Sequence, residues 1–178
     1  MQGIIPQWIK EKLGATLYSR AWLTGTAALT RLGVCGRFSD WDIFIEDFTP
    51  EELKATFGEQ ASGTTYFGGL VIPSPEVSCD TQPMDIWGDT PMTYVNEVPV
   101  DLWGVAVKVD DGTICAGPNF FGAFQSKMMD FPNLAILKTG RVVSPQRLAY
   151  AIGKFQARYG YGLGPNIQAW LPLNTHKQ

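Results

Sequence analysis

The chain has 178 residues, a length that suits one compact domain and excludes a large multidomain assembly. Hydrophobic residues make up 45% of the sequence and charged residues only 17%, so the composition excludes wholesale disorder. The formal net charge of -3 excludes a protein that wraps a polyanion by bulk electrostatics, and any contact with nucleic acid has to be local.

Cysteine and histidine are too sparse for two further classes of protein. The three cysteines include no Cys-x-x-Cys pair and the single histidine is His176, so the sequence predicts neither a zinc site nor a disulfide framework. No apolar run approaches the roughly 18 residues that span a bilayer, and the N-terminus does not resemble a signal peptide. We therefore expect a cytoplasmic protein without membrane contact.

The predicted elements begin with a helix, a short strand and a second helix. Apolar residues at helical spacing predict a helix over residues 4–20, and an apolar strand follows over 21–24. Gly25 ends that strand, residues 26–32 are good helix formers, and Gly33 stops the second helix. This order is typical of a strand that passes through a tight turn into a helix.

Strands dominate the middle of the chain. The β-branched and aromatic residues of 40–46 predict a strand, after which Thr49 and Glu52 have the spacing of a capping box for a helix that extends to about Phe57. Further strands are predicted over residues 64–72, 84–87 and 101–109, and residues 113–116 pair back as a hairpin after the turn at 110–112.

The last part of the chain is predicted to be helical, with helices over 120–130 and 145–159. Together these elements predict an α/β fold in which a short mixed sheet is flanked by helices and followed by a C-terminal helical extension. We expect a core over residues 1–135 and the extension over 136–178, packed as a single compact unit.

The most informative pattern joins a glycine turn to a pair of aspartates. Gly25 and Thr26 lie between a strand and a helix, and Asp40 and Asp42 lie at the start of the next strand. Residues two apart in a strand point to the same face, about 6.6–7 Å from each other, so both carboxylates can converge on cations. Mg²⁺ prefers hard oxygen ligands, and the N–H groups at a helix start favour phosphate. The pattern predicts a site for divalent cations and a phosphorylated ligand.

A third acidic residue, Asp85, lies in the predicted strand 84–87. If that strand neighbours the one with the aspartate pair, the three carboxylates form a two-metal site. A purely structural interpretation stays open, in which Asp40 ends a turn and Asp42 faces solvent from an edge strand. Against it, two aspartates entering a strand as apolar as 43–45 repel each other unless a cation lies between them.

Residues 23–29, 39–43 and 84–87 together resemble the nucleotidyltransferase superfamily of DNA polymerase β, and the likeness covers residues 21–87. The superfamily pattern is a glycine followed by a small hydroxyl or glycine residue, a helix, a paired acidic motif in a strand and a third acid in a neighbouring strand. The resemblance implies a nucleotidyltransferase fold for the core.

The same resemblance implies roles for individual residues. Asp40 and Asp42 would ligate two Mg²⁺ or Mn²⁺ ions, and Asp85 would ligate one of them and help to activate an acceptor hydroxyl. Gly25 and Thr26 would hold the triphosphate of the substrate NTP. The remaining NTP-binding candidates are Ser39, Arg31, Lys127 and Arg147.

Two groups within the superfamily are especially similar: the head domain of CCA-adding enzymes and poly(A) polymerases, and the compact nucleotidyltransferases of defence and antitoxin systems. The first likeness rests on the 15-residue step from Gly25 to Asp40 and on segment 144–155. The sequence departs from the first group at Leu29-Thr30, where those enzymes carry an Arg-Asp pair. It departs again at Val143-Ser144, where the motif continued by Pro145 and Arg147 is acidic in those enzymes.

The function implied by the resemblance is Mg²⁺-dependent transfer of a nucleoside monophosphate from an NTP to a hydroxyl, with release of pyrophosphate. The acceptor hydroxyl could belong to an RNA 3′ end, a small molecule or a protein. Two alternatives stay open: a catalytically degenerate nucleotide-binding or antitoxin-like partner protein, and a hydrolase that uses the same carboxylates. The clustered basic residues available to an RNA acceptor are Arg141, Arg147, Lys154 and Arg158.

Overall fold

The computed structural model describes residues 5–36, 38–65, 68–75, 82–132, 134, 137 and 144–175 of the chain. Its helices are α1 (Gln7–Tyr18), α2 (Gly25–Arg31), α3 (Pro50–Phe57), α4 (Pro91–Glu97), α5 (Phe120–Ser126), α6 (Pro145–Tyr159) and α7 (Pro165–Thr175). Its strands are β1 (Ala21–Leu23), β2 (Trp41–Glu46), β3 (Gly63–Thr64), β4 (Leu70–Ile72), β5 (Met84–Asp89), β6 (Val105–Lys108), β7 (Ile114–Ala116), β8 (Met128–Met129) and β9 (Gly162–Leu163). Short 3-10 helices occupy Gly58–Gln60 and Asp101–Trp103.

The strands β1 to β7 form one mixed sheet in the order β3-β4-β5-β2-β1-β6-β7. The central strand β2 is parallel to β5 and antiparallel to β1, and β1 is antiparallel to β6. The strands β8 and β9 form a separate parallel pair. This architecture confirms the predicted α/β fold with a mixed sheet flanked by helices.

Helices cover one face of this sheet, where Leu23, Ile43 and Ile86 lie side by side with no exposed surface. The helix α2 packs against β2 and β6, and α3 packs against β4 and β5. Gly88 shares the face of Ile86, and a Cβ on Gly88 would overlap the carbonyl group of Phe48, which leads into α3. The opposite face carries the even-numbered residues of β2 and the odd-numbered residues of β5.

The start of α3 has both hydrogen bonds of the predicted capping box. The Thr49 hydroxyl accepts a hydrogen bond from the Glu52 N–H at 3.2 Å, and the Glu52 carboxylate accepts one from the Thr49 N–H at 2.8 Å. These bonds lower the pKa of Glu52 below its ordinary value. They satisfy backbone donors that the first turn of a helix leaves without partners.

Substitution of this cap is expected to weaken the packing of α3 on the sheet. Thr49→Ala removes the hydroxyl acceptor and should lower the free energy of unfolding by about 1 kcal/mol. Thr49→Ser keeps the acceptor and should stay within a few tenths of a kcal/mol of the parent protein. Urea unfolding of the three proteins measures both values, and equal stability of Thr49→Ala and the parent would show that the cap contributes nothing.

Several predicted elements are confirmed closely, but two strand predictions are wrong. The segment predicted as one strand over 64–72 instead contains the end of β3 at Thr64 and the whole of β4 (Leu70–Ile72), which pair antiparallel, with Gly68 at φ 81° between them. Residues 101–109 begin with a 3-10 helix, and only Val105–Lys108 continues as β6. Both errors arise where an apolar run was interpreted as continuous although the backbone reverses or tightens within it.

The predicted helix over 120–130 also ends early. The helix α5 stops at Ser126 because Lys127 adopts a left-handed conformation with φ 53°, and the next residues form β8. The helix α4 was not predicted, whereas α6 has the bounds that the sequence predicts. Among the described helices, none combines the length and the apolar character that a membrane crossing requires.

The chain divides into two compact units. The first contains Met1–Thr93 and Val105–Cys115, and the second contains Tyr94–Gly104 and Ala116–Gln178. The second unit therefore includes the second half of α4 together with α5, α6 and α7. The boundary predicted after residue 135 falls beside residues outside the described part of the chain and stays a prediction.

Within the second unit, two aspartates organise the start of α7. The Asp130 carboxylate accepts a hydrogen bond from the Ile167 N–H at 2.9 Å in the first turn of that helix. Asp101 accepts hydrogen bonds from the N–H groups of Leu102 at 2.7 Å and of Asp130 at 2.9 Å. Burial, partly offset by these bonds and reinforced by the neighbouring Asp130 charge, raises the pKa of Asp101 to about 6.

This raised pKa predicts that Asp101→Asn stabilises the protein at neutral pH. A carboxyl group that binds its proton more tightly in the folded state loses its contribution to stability as the pH rises through about 4 to 6. Asparagine keeps an acceptor oxygen without the charge. Because the group is partly solvated, we expect a gain of only about 1 kcal/mol at pH 7.5, or roughly 2–4 °C in melting temperature.

Thermal unfolding at pH 4.5 and pH 7.5 checks this prediction. The gain should shrink at pH 4.5, where the parent carboxyl is largely protonated. A loss of stability at pH 7.5 would show instead that the Asp101 charge favours the fold.

Candidate active site

Two neighbouring strands bring Asp42 and Asp85 together. The strands β2 and β5 are parallel, and Asp42 is the direct partner of Asp85 in their register. Side chains of directly paired residues lie on the same face of a sheet, and here it is the face opposite to α3. The prediction that the two acidic strands neighbour each other is therefore confirmed.

Asp40 lies directly before the first residue of β2 and supplies the third carboxylate of the cluster. Each of Asp40, Asp42 and Asp85 offers a carboxylate oxygen, and these three oxygens lie within 4.8 Å of one another. The Ser39 hydroxyl donates a hydrogen bond to Asp40 Oδ1 at 2.8 Å. All three residues are half-buried, so each keeps part of its surface accessible to solvent. The structural interpretation with Asp42 on an edge strand is wrong, because β2 is central in the sheet.

The cluster is electrostatically strained by its own charge. Burial first, and then the charges of Asp40 and Asp85, hold the pKa of Asp42 well above its ordinary value. Burial and the charge of Asp40 raise the pKa of Asp85 to about 6. Three carboxylate oxygens in such proximity are relieved by a divalent cation, and an all-oxygen donor set suits Mg²⁺ or Mn²⁺. The residues present therefore fit the metal ions that the sequence predicts.

The turn between β1 and α2 lies directly against Asp42. Gly25 has φ 57°, and a Cβ built on it would overlap the Asp42 carboxylate oxygen Oδ2. Only glycine both adopts this backbone conformation without strain and leaves room for the carboxylate. Thr26 follows in the first turn of α2 and is half-buried. The structure thus brings Gly25 and Thr26 to the carboxylate cluster, as the sequence predicts.

Thr24 also holds this turn, although sequence reasoning assigned it no role in the site. Its side chain has no exposed surface. Its N–H donates a hydrogen bond to the Asp42 carbonyl oxygen at 2.9 Å, and its hydroxyl donates to the same oxygen at 3.4 Å. The sequence does contain a signal for this role, because Thr24 is a polar residue between an apolar strand and a glycine turn. Thr24 thereby fixes the backbone of β2 against the start of α2.

Arg31 does not reach the carboxylate cluster. Its guanidinium donates a hydrogen bond to the Val109 carbonyl oxygen at 3.5 Å, just beyond the end of β6. That position lies beside Ala21 at the beginning of β1, whereas the cluster lies beside Thr24, after the end of β1. Arg31 is also the last residue of α2, while Gly25 is the first.

The other predicted NTP contacts belong to the second unit. Lys127 is exposed at the end of α5, and its carbonyl oxygen accepts a hydrogen bond from the Gly162 N–H at 2.8 Å. Arg147 is exposed in the first turn of α6, where its N–H donates to the Ser144 hydroxyl at 3.2 Å. Both roles stay predictions. Of the other candidates considered, Arg141 and His176 lie outside the described residues.

The fold is similar to that of solved RNA-processing enzymes. A CCA-adding enzyme in its apo form has a TM-score of 0.63 and 13% identity over 96% of this chain and 43% of that chain. The Thermotoga maritima CCA-adding enzyme complexed with tRNA has a TM-score of 0.62 and 13% identity, covering 96% of this chain and 43% of that chain. A tRNA-processing enzyme in an apo form has a TM-score of 0.59 and 16% identity over 98% of this chain and 47% of that chain.

These likenesses confirm the predicted nucleotidyltransferase fold. The identities of 13% and 16% limit the conclusion to the fold, and the chain spans less than half the length of these enzymes. Other similar structures are complexes of a CCA-adding enzyme with ATP and with CTP. No protein-family model and no curated protein sequence matches the chain.

Proposed function

We propose that the protein is a divalent-cation-dependent nucleotidyltransferase that moves a nucleoside monophosphate from an NTP to a hydroxyl group. The observation that carries this proposal is the convergence of Asp40, Asp42 and Asp85, whose oxygens lie within 4.8 Å of one another beside the glycine turn. Carboxylates in this arrangement suit two-metal phosphoryl transfer. The fold shared with CCA-adding and tRNA-processing enzymes supports the same class of reaction.

The three aspartates would bind the cations, and Asp85 would also orient the acceptor. All three would hold Mg²⁺ or Mn²⁺, and a bound cation supplies positive charge against the charge that develops on the phosphate oxygens. The acceptor oxygen bonds to the α-phosphorus, the bond between that phosphorus and the bridging oxygen to the β-phosphate breaks, and pyrophosphate leaves. Asp85 orients the acceptor hydroxyl, and the proton of that hydroxyl passes to Asp85 or to solvent.

The glycine turn would hold the donor. Gly25 leaves space in front of Asp42, and Thr26 brings a hydroxyl and backbone N–H groups to the same place. Ser39, which donates to Asp40, stays a predicted NTP contact, together with Lys127 and Arg147. Arg31 is not part of this proposal, because its guanidinium lies at Val109.

A second candidate is a protein that binds nucleotide without turnover, as a degenerate or antitoxin-like partner. The observation in its favour is the burial of Leu29 and Thr30, which stand where the enzymes that the sequence resembles carry an Arg-Asp pair. Because both side chains are buried, neither can contact a triphosphate. The presence of all three carboxylates favours the active enzyme.

Measurement of pyrophosphate release separates the two candidates. The purified protein is incubated with each NTP, with Mg²⁺ or Mn²⁺, and with or without total RNA. The proposal predicts cation-dependent release of pyrophosphate that Asp85→Asn abolishes and that Asp110→Asn, which removes an exposed carboxylate in a remote turn, leaves intact. Binding of NTP by the parent protein without pyrophosphate release under any of these conditions would support the second candidate.

A further inference from the structure

The acidic residues of the sequence end at Asp130. All seventeen lie at or before this position, whereas six of the fourteen lysines and arginines follow it. Residues 131–178 therefore carry a formal charge of +6, although the net charge of the whole chain is -3. A charge asymmetry of this kind is typical of a segment that meets an anionic partner.

The helix α6 presents part of this positive charge on one exposed stripe. Tyr150, Lys154 and Arg158 are spaced by four residues, so they lie above one another, about 6 Å apart along the helix axis. Tyr150 is 70% exposed, and both cations are exposed as well. In the part of the chain that the structure describes, none of these three side chains has a hydrogen bond or an ion pair. The stripe is therefore available to a partner.

A glycine beside this stripe has no explanation within the fold. Gly153 is exposed in the middle of α6, its φ is not positive, and a Cβ on it would meet no described atom within 4 Å. Glycine in a helix interior is destabilising relative to alanine. Ala157, one turn further on, is also exposed. Two small residues on successive turns let the backbone of a second helix approach closely.

The chemistry of this face distinguishes between possible partners. A second copy of α6 would bring like charges together, because this helix contains cations and no acidic residue. A lipid surface requires a broad apolar face, which an exposed face with lysine and arginine does not provide. RNA would use the cations, but their long side chains reach phosphates without a close approach of the backbone, so RNA would leave Gly153 and Ala157 unexplained.

We propose that one row of residues on α6 is a docking surface for an acidic α-helix of a partner protein. Gly153 and Ala157 let the backbone of the partner approach, and Tyr150 packs along it. Lys154 and Arg158 face carboxylates one turn apart on the partner, which speeds association and selects an acidic helix. We call these five residues the docking row. The inference concerns the second unit and does not depend on the proposed transfer reaction.

Gly153→Ala tests whether the fold itself requires the glycine. Alanine reduces the conformational freedom of the unfolded chain and favours the helix, so the melting temperature should rise by about 1–4 °C. An unchanged or lower melting temperature would show that the fold requires Gly153, and the argument for close approach would fail.

Peptide binding tests the docking row directly. The probe is a fluorescein-labelled helical peptide of about 20 residues, with alanines along one face and glutamates one turn apart beside them. One matched peptide has glutamine in place of every glutamate, and another has lysine. Fluorescence anisotropy at low salt gives dissociation constants for the full chain and its variants, and circular dichroism establishes that each variant is folded.

The parent protein should bind the glutamate peptide about tenfold more tightly than the glutamine peptide, and added salt should reduce this difference. Gly153→Leu should weaken binding of the glutamate peptide by about tenfold, because leucine holds the two backbones apart. Lys154→Glu should prefer the lysine peptide. Ala55→Leu and Lys54→Glu are the controls, since they introduce the same side chains at exposed positions of α3 and should bind as the parent does.

Three results would overturn the inference. Equal binding of the glutamate and glutamine peptides by the parent protein would show that charge does not select the partner. Binding by Gly153→Leu that equals that of the parent would show that no helix approaches at this glycine. Absence of binding to the glutamate peptide would remove the proposed partner, and binding of a single-stranded RNA in its place would assign the cations of α6 to nucleic acid.

Discussion

Asp42→Asn is expected to abolish nucleotidyl transfer while making the metal-free protein more stable. Asp42 is the register partner of Asp85 and its carboxylate lies directly against Gly25, so loss of its charge removes a cation ligand from the centre of the site. Cation contacts in phosphoryl transfer contribute several kcal/mol, so the rate should fall by about a thousandfold or more. The same substitution removes the burial of a charge and the repulsion from Asp40 and Asp85, which together raise the pKa of Asp42, so the free energy of unfolding of the metal-free protein should increase.

The gain in stability that we expect for Asp42→Asn should depend on pH. A carboxyl group with a raised pKa in the folded state loses its contribution as the pH rises, and for Asp85 this loss extends from about pH 4 through about 6. Metal-free parent protein should therefore lose stability over that interval, and Asp42→Asn should lose less. Thermal unfolding in EDTA at pH 4.5 and pH 7.5 measures both curves.

Addition of Mg²⁺ supplies the complementary control. A ligand that binds only the folded state stabilises it, so Mg²⁺ should raise the melting temperature of the parent protein at pH 7.5 more than that of Asp42→Asn. Full transfer activity in Asp42→Asn would contradict the role of the carboxylate cluster. Equal stabilisation of both proteins by Mg²⁺ would contradict the placement of the cation at Asp42.

Gly25→Ala is expected to have the second large effect. The added methyl group would overlap Asp42 Oδ2, and alanine is also disfavoured at φ 57°. The carboxylate must move, so we expect transfer to fall by about a hundredfold or more, since displacements of about 1 Å have effects of this size. Stability should fall by about 1–3 kcal/mol from backbone strain and overlap together.

Gly33→Ala separates the two causes. Gly33 has φ 77°, but a Cβ on it would meet nothing within 4 Å. This variant should lose about 1–2 kcal/mol of stability and keep its activity. Initial rates and urea unfolding of both variants distinguish the effect of backbone strain from the effect of displacing the Asp42 carboxylate. If Gly25→Ala is as active as Gly33→Ala, the close approach of Gly25 to Asp42 is not required for transfer.

Local signals in the sequence were sufficient for the elements around the site. Thr49 and Glu52 predict the start of α3 because a capping box is formed by neighbouring residues, and α3 begins there. Gly33 predicts the end of α2 because a glycine with φ 77° terminates a helix without strain. The bounds of α6 follow from Ser144 and Pro145 at its start and from Gly160 at its end.

The pairing of distant strands and the direction of side chains could not be predicted from local sequence signals. The aspartate pattern identifies Asp85 as a candidate, but its approach to Asp42 depends on the parallel pairing of β5 with β2 across more than 40 residues. The direction of Arg31 depends on where the β6–β7 hairpin presents the Val109 carbonyl oxygen. The alignment of Trp22, Phe44 and Trp87 across three strands is likewise a product of strand register, because these residues are distant in sequence.

The fate of the α- and γ-phosphates of the donor tests the central claim most directly. Parallel reactions contain NTP labelled at the α- or at the γ-phosphate, Mg²⁺, and either a cell lysate or total RNA as acceptor. Nucleotidyl transfer predicts that the α-label appears on the acceptor and the γ-label in pyrophosphate, and that both signals disappear in Asp42→Asn. Release of the γ-label as inorganic phosphate, with no α-label on any acceptor, would identify a hydrolase and contradict nucleotidyl transfer.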